Sequence, residues 1–143
     1  MLESKFYYDE YGHMHKCIPE PKEVGHTEMA ELPKVLAVDF DGTLVQDKFP
    51  NIGEKNDAVF AQVKAMQVGG WKIVLWTCRR GKQLHEATRY CLSQGLFFDA
   101  VNENIKEVRE LFGGDTRKVY ADRYLDDKNL DPYIPREWQN ENK

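Results

Sequence analysis

Residues 34–43 read KVLAVDFDGT, a short apolar run that ends in two acids, a glycine and a threonine. Strands that are buried on both faces of a parallel sheet have this composition. We therefore predict a core strand over residues 34–39. Gly42 permits a sharp turn directly after the acids, and the Thr43 hydroxyl can tie that turn.

Short apolar runs alternate with helical patterns after this strand. This alternation is typical of an α/β domain with a parallel sheet, and it predicts a three-layer, Rossmann-like fold with right-handed crossovers. The predicted helices cover residues 56–68, 82–94 and 105–111, and the further predicted strands cover residues 71–76, 97–101 and 119–125.

Composition divides the chain into three parts. Residues 34–129 form the predicted catalytic domain. Residues 1–33 hold three prolines and no sustained period, and they are predicted to be a lid, a dimer arm or a tail. Residues 130–143 are a C-terminal tail.

The overall composition excludes several classes of protein. No apolar run approaches the ~20 residues that cross a bilayer, so we expect no membrane association. With 20 Lys and Arg against 24 Asp and Glu, the net charge of −4 opposes a global grip on nucleic acid, although a local basic patch leaves that partner open. Three irregularly spaced cysteines fit a reducing cytoplasm rather than a disulfide scaffold.

Carboxylates follow the first and last predicted strands. Side chains two residues apart in an extended segment point to the same side, so we expect Asp39 and Asp41 to face one site. Asp126 and Asp127 follow the last strand and should join them, because ligands bind beyond the carboxyl ends of parallel strands. Carboxylates this close repel one another, and a Mg²⁺ ion removes that penalty.

Two further groups suit an anionic phosphoryl ligand. Thr77 offers a hydroxyl at the end of the second strand, and Lys118 offers a positive charge before the last strand. The loops after the first two strands are expected to line the substrate site. Arg79 and Arg80 either recruit an anionic substrate or are solvated loop charges. The predicted substrate-binding residues are Gly42, Thr43, Cys78, Arg79 and Arg80.

Four segments of the chain resemble the four motifs of the haloacid dehalogenase (HAD) superfamily, and they occur in the same order. Residues 38–44, VDFDGTL, resemble its first motif, and residues 75–77, LWT, resemble its second. Lys118 is similar to the lysine of the third motif, and residues 125–127, LDD, resemble the fourth. The resemblance spans residues 34–129 and points to a small group of uncharacterised capless (C0-type) hydrolases.

The resemblance implies a Mg²⁺-dependent phosphomonoester hydrolase. Asp39 would attack phosphorus and form an aspartyl phosphate, while Asp41 would protonate the leaving oxygen and then activate water. Asp41 would bind the metal through its main-chain carbonyl, and Asp127 directly or through water. The implied catalytic residues are Asp39, Asp41, Thr77 and Lys118, and the implied metal ligands are Asp39, Asp41, Asp126 and Asp127.

Chain length at the two usual cap positions argues against a cap domain. Twelve residues separate Thr43 from the helix that begins near Asn56, which suffices for a flap. One short helix lies between the third strand and Lys118. The predicted site is therefore open, which suits a large or extended phosphorylated substrate, or a second subunit that excludes water.

Other functions compete with the hydrolase. A phosphotransferase, or a phosphatase for nucleotides or nucleic-acid ends, would use the same residues. A non-catalytic phosphoryl-binding module is the alternative of another class, although Asp39, Asp41, Thr77 and Asp126 are all present. A receiver domain also forms an aspartyl phosphate, but its acceptor lies after a separate acidic pair rather than directly after the first core strand.

Overall fold

A computed structural model gives the fold of the chain and describes residues 6–8, 14–16 and 31–130. Three helices and eight strands lie within these residues. The helices are α1 (Asp57–Val68), α2 (Gly81–Ser93) and α3 (Lys106–Phe112). The strands are β1 (Phe6–Tyr8), β2 (Met14–Lys16), β3 (Val35–Val38), β4 (Val45–Lys48), β5 (Asn51–Lys55), β6 (Lys72–Leu75), β7 (Ala100–Val101) and β8 (Arg123–Leu125).

The main sheet has the strand order β7-β6-β3-β8, and all of its pairs are parallel. The strand that carries the first motif is therefore central. Its neighbours are β6, which precedes Thr77, and β8, which precedes Asp126. The predicted parallel α/β fold is confirmed. This strand order places the carboxyl ends of β6, β3 and β8, which Thr77, Asp39 and Asp126 follow, side by side.

Alternate residues of β3 enter two separate cores. Leu36 and Val38 pack with residues of α1 and α2, such as Val63 and Cys91, on one face of the sheet. Val35 and Ala37 pack with α3 on the other face. The result is the predicted three-layer arrangement, and it explains why the strand is apolar at every position.

The third and fourth predicted strands are shorter than expected. Residues 97–99 and 119–122 lie outside the strands, because side chains replace parts of the backbone ladder. The Asp99 carboxylate accepts the N–H of Ile73 at 2.8 Å, and the Tyr124 hydroxyl accepts the N–H of Ala121 at 3.1 Å. Sequence pattern does not reveal such substitutions of a backbone partner by a side chain.

Neither cap position holds a domain within residues 31–130. The antiparallel hairpin β4–β5 fills the first position, and α3 with its flanking loops fills the second. This confirms the capless prediction for that part of the chain. The antiparallel pair β1–β2 was not predicted. The choice among lid, dimer arm and tail for residues 1–33 depends on residues outside the described ones. The predicted C-terminal tail, residues 130–143, also lies outside them except for Leu130.

Asp122 has a structural role at the start of the central strand. Its carboxylate accepts the backbone N–H of Val35 at 2.8 Å and lies 3.8 Å from the Lys34 ammonium. It thereby fixes the start of β3 against the segment before β8. No helix within the described residues is long and apolar enough to cross a membrane.

Asn104 organises the loop that carries Lys118. Its side chain is 0% exposed, and its Nδ2 donates to Asp115 at 2.7 Å and to the Thr116 hydroxyl at 2.8 Å. Its Oδ1 accepts the backbone N–H of Tyr120 at 2.6 Å, and Thr116 in turn donates to the Lys118 carbonyl. One buried amide thus replaces secondary structure as the support of this loop.

Replacing Asn104 by alanine is expected to lower the free energy of unfolding by about 2 kcal/mol, because buried partners lose their hydrogen bonds. Urea denaturation measures the change. The neighbouring exposed Glu103→Ala variant is the control and should stay within about 0.5 kcal/mol of the parent. Equal effects of the two changes would contradict the assigned role.

Candidate functional site

The turn after β3 is built around the carbonyl of Phe40. This oxygen accepts the N–H groups of Thr43, Leu44 and Val45 at 3.0–3.2 Å, and the Phe40 ring is fully buried. The backbone N–H of Asp39 still donates to Leu125, so Asp39 continues the sheet. The chain bends sharply immediately after it.

Asp39 meets both acids of the β8 loop. Carboxylate oxygens of Asp39, Asp126 and Asp127 all lie within 4.8 Å of one another. The pKa of Asp39 is raised to about 7, first because burial disfavours its charged form and then because Asp126 and Asp127 repel a further negative charge. These three predicted metal ligands are therefore brought together.

The donor set of this cluster fits a hard divalent cation. Three carboxylates supply oxygen ligands, which Mg²⁺ prefers. After burial, repulsion by Asp126 and Asp127 raises the Asp39 pKa, and a cation would offset that repulsion. Lys128, next to the cluster, supplies partial compensation: its ammonium lies 3.3 Å from Asp127, and this contact raises the lysine pKa. The sequence reasoning did not single out Lys128, although it directly follows the acidic pair.

Two residues of the first motif hold Asp127 in place. The Thr43 hydroxyl accepts the backbone N–H of Asp127 at 3.0 Å, across the gap between the β3 and β8 loops. Gly42 has a φ of +86°, and a Cβ there would collide with the Asp127 carboxylate. The positive φ thus favours glycine at this position, and the absence of a side chain leaves room for the Asp127 carboxylate.

The role expected for Thr43 is corrected by these contacts. Its side chain was predicted to bind substrate and to tie its own turn. The residue is 5% exposed, and its hydroxyl joins two loops instead. It therefore positions a carboxylate rather than lining an open surface.

Asp41 does not share the site of Asp39, and the expectation that both carboxylates face one site is wrong. The rule for side chains two residues apart requires extended backbone, whereas β3 ends at Val38 and the chain turns at Phe40. The Asp41 carboxylate turns to Arg79. Its Oδ2 accepts from Nε at 2.7 Å, and its Oδ1 accepts from Nη2 at 2.8 Å.

Arg79 is buried, with 2% exposure, between the rings of Phe40 and Phe49. Besides its two bonds to Asp41, the guanidinium donates to the carbonyls of three further residues, and these five bonds use all of its N–H groups. Its bond to Asp41 raises the pKa of the guanidinium still further. The three carbonyl partners are Pro50 and Asn51 of the hairpin and Gln83 of α2.

The predictions for Arg79 as a substrate ligand or a solvated charge are therefore wrong. No N–H group is left for a bound anion, and no solvent surrounds the side chain. Arg80, the next residue, is exposed at the N-cap of α2, and Cys78 is also exposed. The sequence Arg-Arg does not indicate which of the two is buried, because that depends on the distant partner Asp41.

Thr77 lies at the predicted end of β6 and is held by two side-chain contacts. Its N–H donates to the Asn102 side chain at 2.8 Å, and its hydroxyl accepts the N–H of Arg79 at 3.1 Å. Asn102 has a φ of +53°, an uncommon conformation for a residue other than glycine. The sequence reasoning missed Asn102, whose only signal was its place directly after a strand.

A cleft of about 630 Å³ opens beside the carboxylates. Asp39, Asp126 and Lys118 all line it, so the predicted lysine lies in the same cleft as the predicted nucleophile. The Lys118 ammonium lies 5.5 Å from the centre of the Tyr124 ring. Gly42, Thr43, Thr77, Cys78, Arg79 and Arg80 do not line this cleft.

Comparison with known proteins gives one informative match. No family model and no curated protein matches the chain. A solved structure, described as that of a conserved protein coded by a locus from Bacteroides thetaiotaomicron, is 36% identical with a TM-score of 0.60. The match covers 76% of this chain and 91% of the other. The chain belongs to the family of that conserved protein. The shared fold is thus established independently of any activity.

The raised pKa of Asp39 predicts a pH-dependent stability in chelator. The folded protein keeps a proton on Asp39 that the unfolded chain releases near its ordinary pKa of 3.8, so stability should fall as pH rises toward 7. The Asp39→Asn protein has no carboxyl to ionise at this position, so it should not show this loss of stability. Its free energy of unfolding relative to the parent should therefore increase between pH 5 and 7.5. Thermal melts across this range measure it.

The control for this series is Glu110→Gln, which removes an exposed carboxyl on α3. Its difference from the parent should not vary with pH between 5 and 7.5. A constant difference for Asp39→Asn as well would contradict a pKa of Asp39 raised by burial and by the two neighbouring acids.

Arg79→Gln is expected to destabilise the protein by about 3 kcal/mol, because it leaves the Asp41 carboxylate without its partner. The adjacent Arg80→Gln is a matched control and should change stability by less than about 0.5 kcal/mol. Chemical denaturation compares the two. Similar destabilisation by the two changes would show that the buried Arg79–Asp41 pair does not stabilise the hairpin.

Proposed function

We propose that the protein is a Mg²⁺-dependent phosphomonoester hydrolase of the HAD type, acting through an aspartyl phosphate on Asp39. The observation that carries the proposal is the cluster of Asp39, Asp126 and Asp127 at the carboxyl edge of the central strands. Four motifs in HAD order support it. A carboxylate held among two others, beside a cleft and a lysine, has the surroundings of a reactive group.

The three clustered acids would hold the metal. When bound, Mg²⁺ offsets their charge and polarises a phosphoryl oxygen, which allows an anionic nucleophile to approach an anionic phosphate. Thr43 and Gly42 contribute by fixing Asp127 against the Asp39 loop. Lys128 also contacts Asp127, which limits the freedom of that side chain.

Asp39 is the proposed nucleophile. Its carboxylate oxygen forms a bond to phosphorus while the bond from phosphorus to the ester oxygen breaks, and the alcohol oxygen takes up a proton. Water then attacks the phosphorus of the aspartyl phosphate, which releases inorganic phosphate and regenerates the Asp39 carboxylate. One backbone hydrogen bond, from the Asp39 N–H to the Leu125 carbonyl at 2.9 Å, supports Asp39.

We propose that Asp41 acts as the acid and base for these proton transfers after its carboxylate leaves Arg79 and turns toward Asp39. Two bonds to Arg79 otherwise hold this carboxylate outside the acidic cluster. Lys118, in the same cleft as Asp39, is proposed to hold the transferring phosphoryl group. Thr77 is proposed to donate a hydrogen bond to the same phosphoryl group. Its hydroxyl accepts the backbone N–H of Arg79, which leaves the hydroxyl proton available for donation.

The alternatives remain a phosphotransferase, a phosphatase for nucleotides or nucleic-acid ends, and a non-catalytic phosphoryl-binding module. The open edge of the sheet is compatible with a small or an extended substrate, and with a second subunit as cover. The unpaired thiols Cys78 and Cys91 support the cytoplasm as the proposed compartment.

Asp39→Asn is expected to abolish phosphate release, by about a thousandfold or more, while the protein remains folded. A panel of phosphomonoesters assayed with Mg²⁺ and with chelator measures the loss. Mg²⁺ should also raise the melting temperature of the parent, and Asp126→Ala should remove most of that rise.

The control is Asp57→Asn, which changes an exposed carboxyl in the first turn of α1. It should keep both the activity and the response to Mg²⁺. Activity of a folded Asp39→Asn protein would refute the nucleophile, and melting curves unaffected by Mg²⁺ would refute the metal site.

A further inference from the structure

The cleft beside Asp39 contains an aromatic wall that phosphoryl transfer itself does not use. Trp76 and Tyr124 both line it, and their ring centres lie 5.6 Å apart at an angle of 50°. The two rings come from opposite neighbours of β3, since Trp76 follows β6 and Tyr124 lies in β8. Asp39 follows the strand between them.

Hydrogen bonds hold the backbone of Trp76 and the ring of Tyr124 in position before any ligand arrives. The backbone N–H of Trp76 donates to the Val38 carbonyl at 2.9 Å, so the main chain of Trp76 extends the sheet. The Tyr124 hydroxyl donates to the Val119 carbonyl at 2.6 Å and accepts from Ala121 at 3.1 Å. Trp76 nevertheless remains 36% exposed, which leaves apolar ring surface in contact with water. A flat ligand ring would cover that surface with little loss of side-chain freedom.

Two cations share the cleft with these rings. Lys118 lies against Tyr124, and Arg123 lines the cleft while its Nη1 donates to the Asp122 carbonyl. The cleft therefore combines an anion-binding region with an aromatic platform. Its volume of about 630 Å³ lies within the range of small-molecule sites.

We propose that this cleft takes a nucleoside monophosphate, with its phosphate at the Asp39 cluster and its base stacked on Trp76. The inference rests on the proposed function and names the substrate class of that site. Water replaces the nucleoside on phosphorus, through the same bond changes at Asp39, so a nucleoside and inorganic phosphate are the products. A base has two flat faces that stack on indole, whereas a sugar presents hydroxyl groups.

Binding to the Asp39→Asn protein in Mg²⁺ tests the inference without requiring turnover. Adenosine 5′-monophosphate is compared by calorimetry with ribose 5-phosphate, which carries the same phosphate and sugar but no base. The nucleotide should bind at least about tenfold more tightly, as expected for one stacked base. Equal affinities would overturn the inference, and so would tighter binding of a 5′-phosphorylated oligonucleotide than of the mononucleotide.

Substitutions at Trp76 identify the platform in the same Asp39→Asn background. Trp76→Phe keeps a flat ring and should retain most of the preference for the nucleotide. Trp76→Leu keeps apolar bulk without a ring and should reduce the preference to about twofold or less. Phe97→Ala removes another exposed aromatic side chain that does not line the cleft, and the preference should persist. A preference that survives Trp76→Leu would overturn the inference.

Turnover by the unmodified protein separates this inference from the proposed function. Release of phosphate from ribose 5-phosphate and from the nucleotide at equal kcat/KM would support the hydrolase and overturn the nucleotide assignment. Selective nucleotide binding without phosphate release from either compound would support the nucleotide site and overturn the hydrolase.

Discussion

The buried guanidinium of Arg79 joins three parts of the chain that secondary structure alone leaves independent. It binds Asp41 in the loop after β3, two carbonyls of the β4–β5 hairpin and one carbonyl in the first turn of α2. A charge buried this deeply is tolerated only when it is paired and fully hydrogen-bonded. The loop, the hairpin and the helix must therefore hold one arrangement, in which Asp41 is turned away from Asp39.

This arrangement separates two carboxylates that lie close in sequence and gathers three that do not. Asp39 joins Asp126 and Asp127 because β3 and β8 are neighbours and because Thr43 and Gly42 hold the Asp127 loop against the first motif. Burial of Asp39 and its repulsion by Asp126 and Asp127 both disfavour its charged form, and together they raise its pKa. A site that is unfavourable without a cation and well supported by its surroundings is what the proposed metal-dependent phosphoryl transfer would require.

The same strand order also gives the cleft an aromatic wall. With β6 and β8 on either side of β3, Trp76 and Tyr124 lie beside the carboxylates, although they are 48 positions apart in the sequence. Hydroxyl hydrogen bonds hold the Tyr124 ring, and a backbone hydrogen bond to Val38 holds the main chain of Trp76. Chemistry and substrate recognition can thus share one edge of the sheet.

The sequence by itself determined the parallel α/β fold, the ends of α1 and the two acidic loops, because apolar periodicity, Asn56 as a cap and charges at strand ends are local signals. It also placed Asp39, Asp126 and Asp127 together, since strand ends of a parallel sheet share one edge. Only the tertiary structure decided that Asp41 turns to Arg79, that Arg79 rather than Arg80 is buried, and that Thr43 supports Asp127. It likewise decided that, in the segment before β8, the side chains of Asn104 and Tyr124 accept backbone N–H groups that a strand would have paired with a neighbouring strand. The reason is physical: a polar side chain's partner depends on which distant segment the fold brings within hydrogen-bonding distance, and no local pattern records that distance.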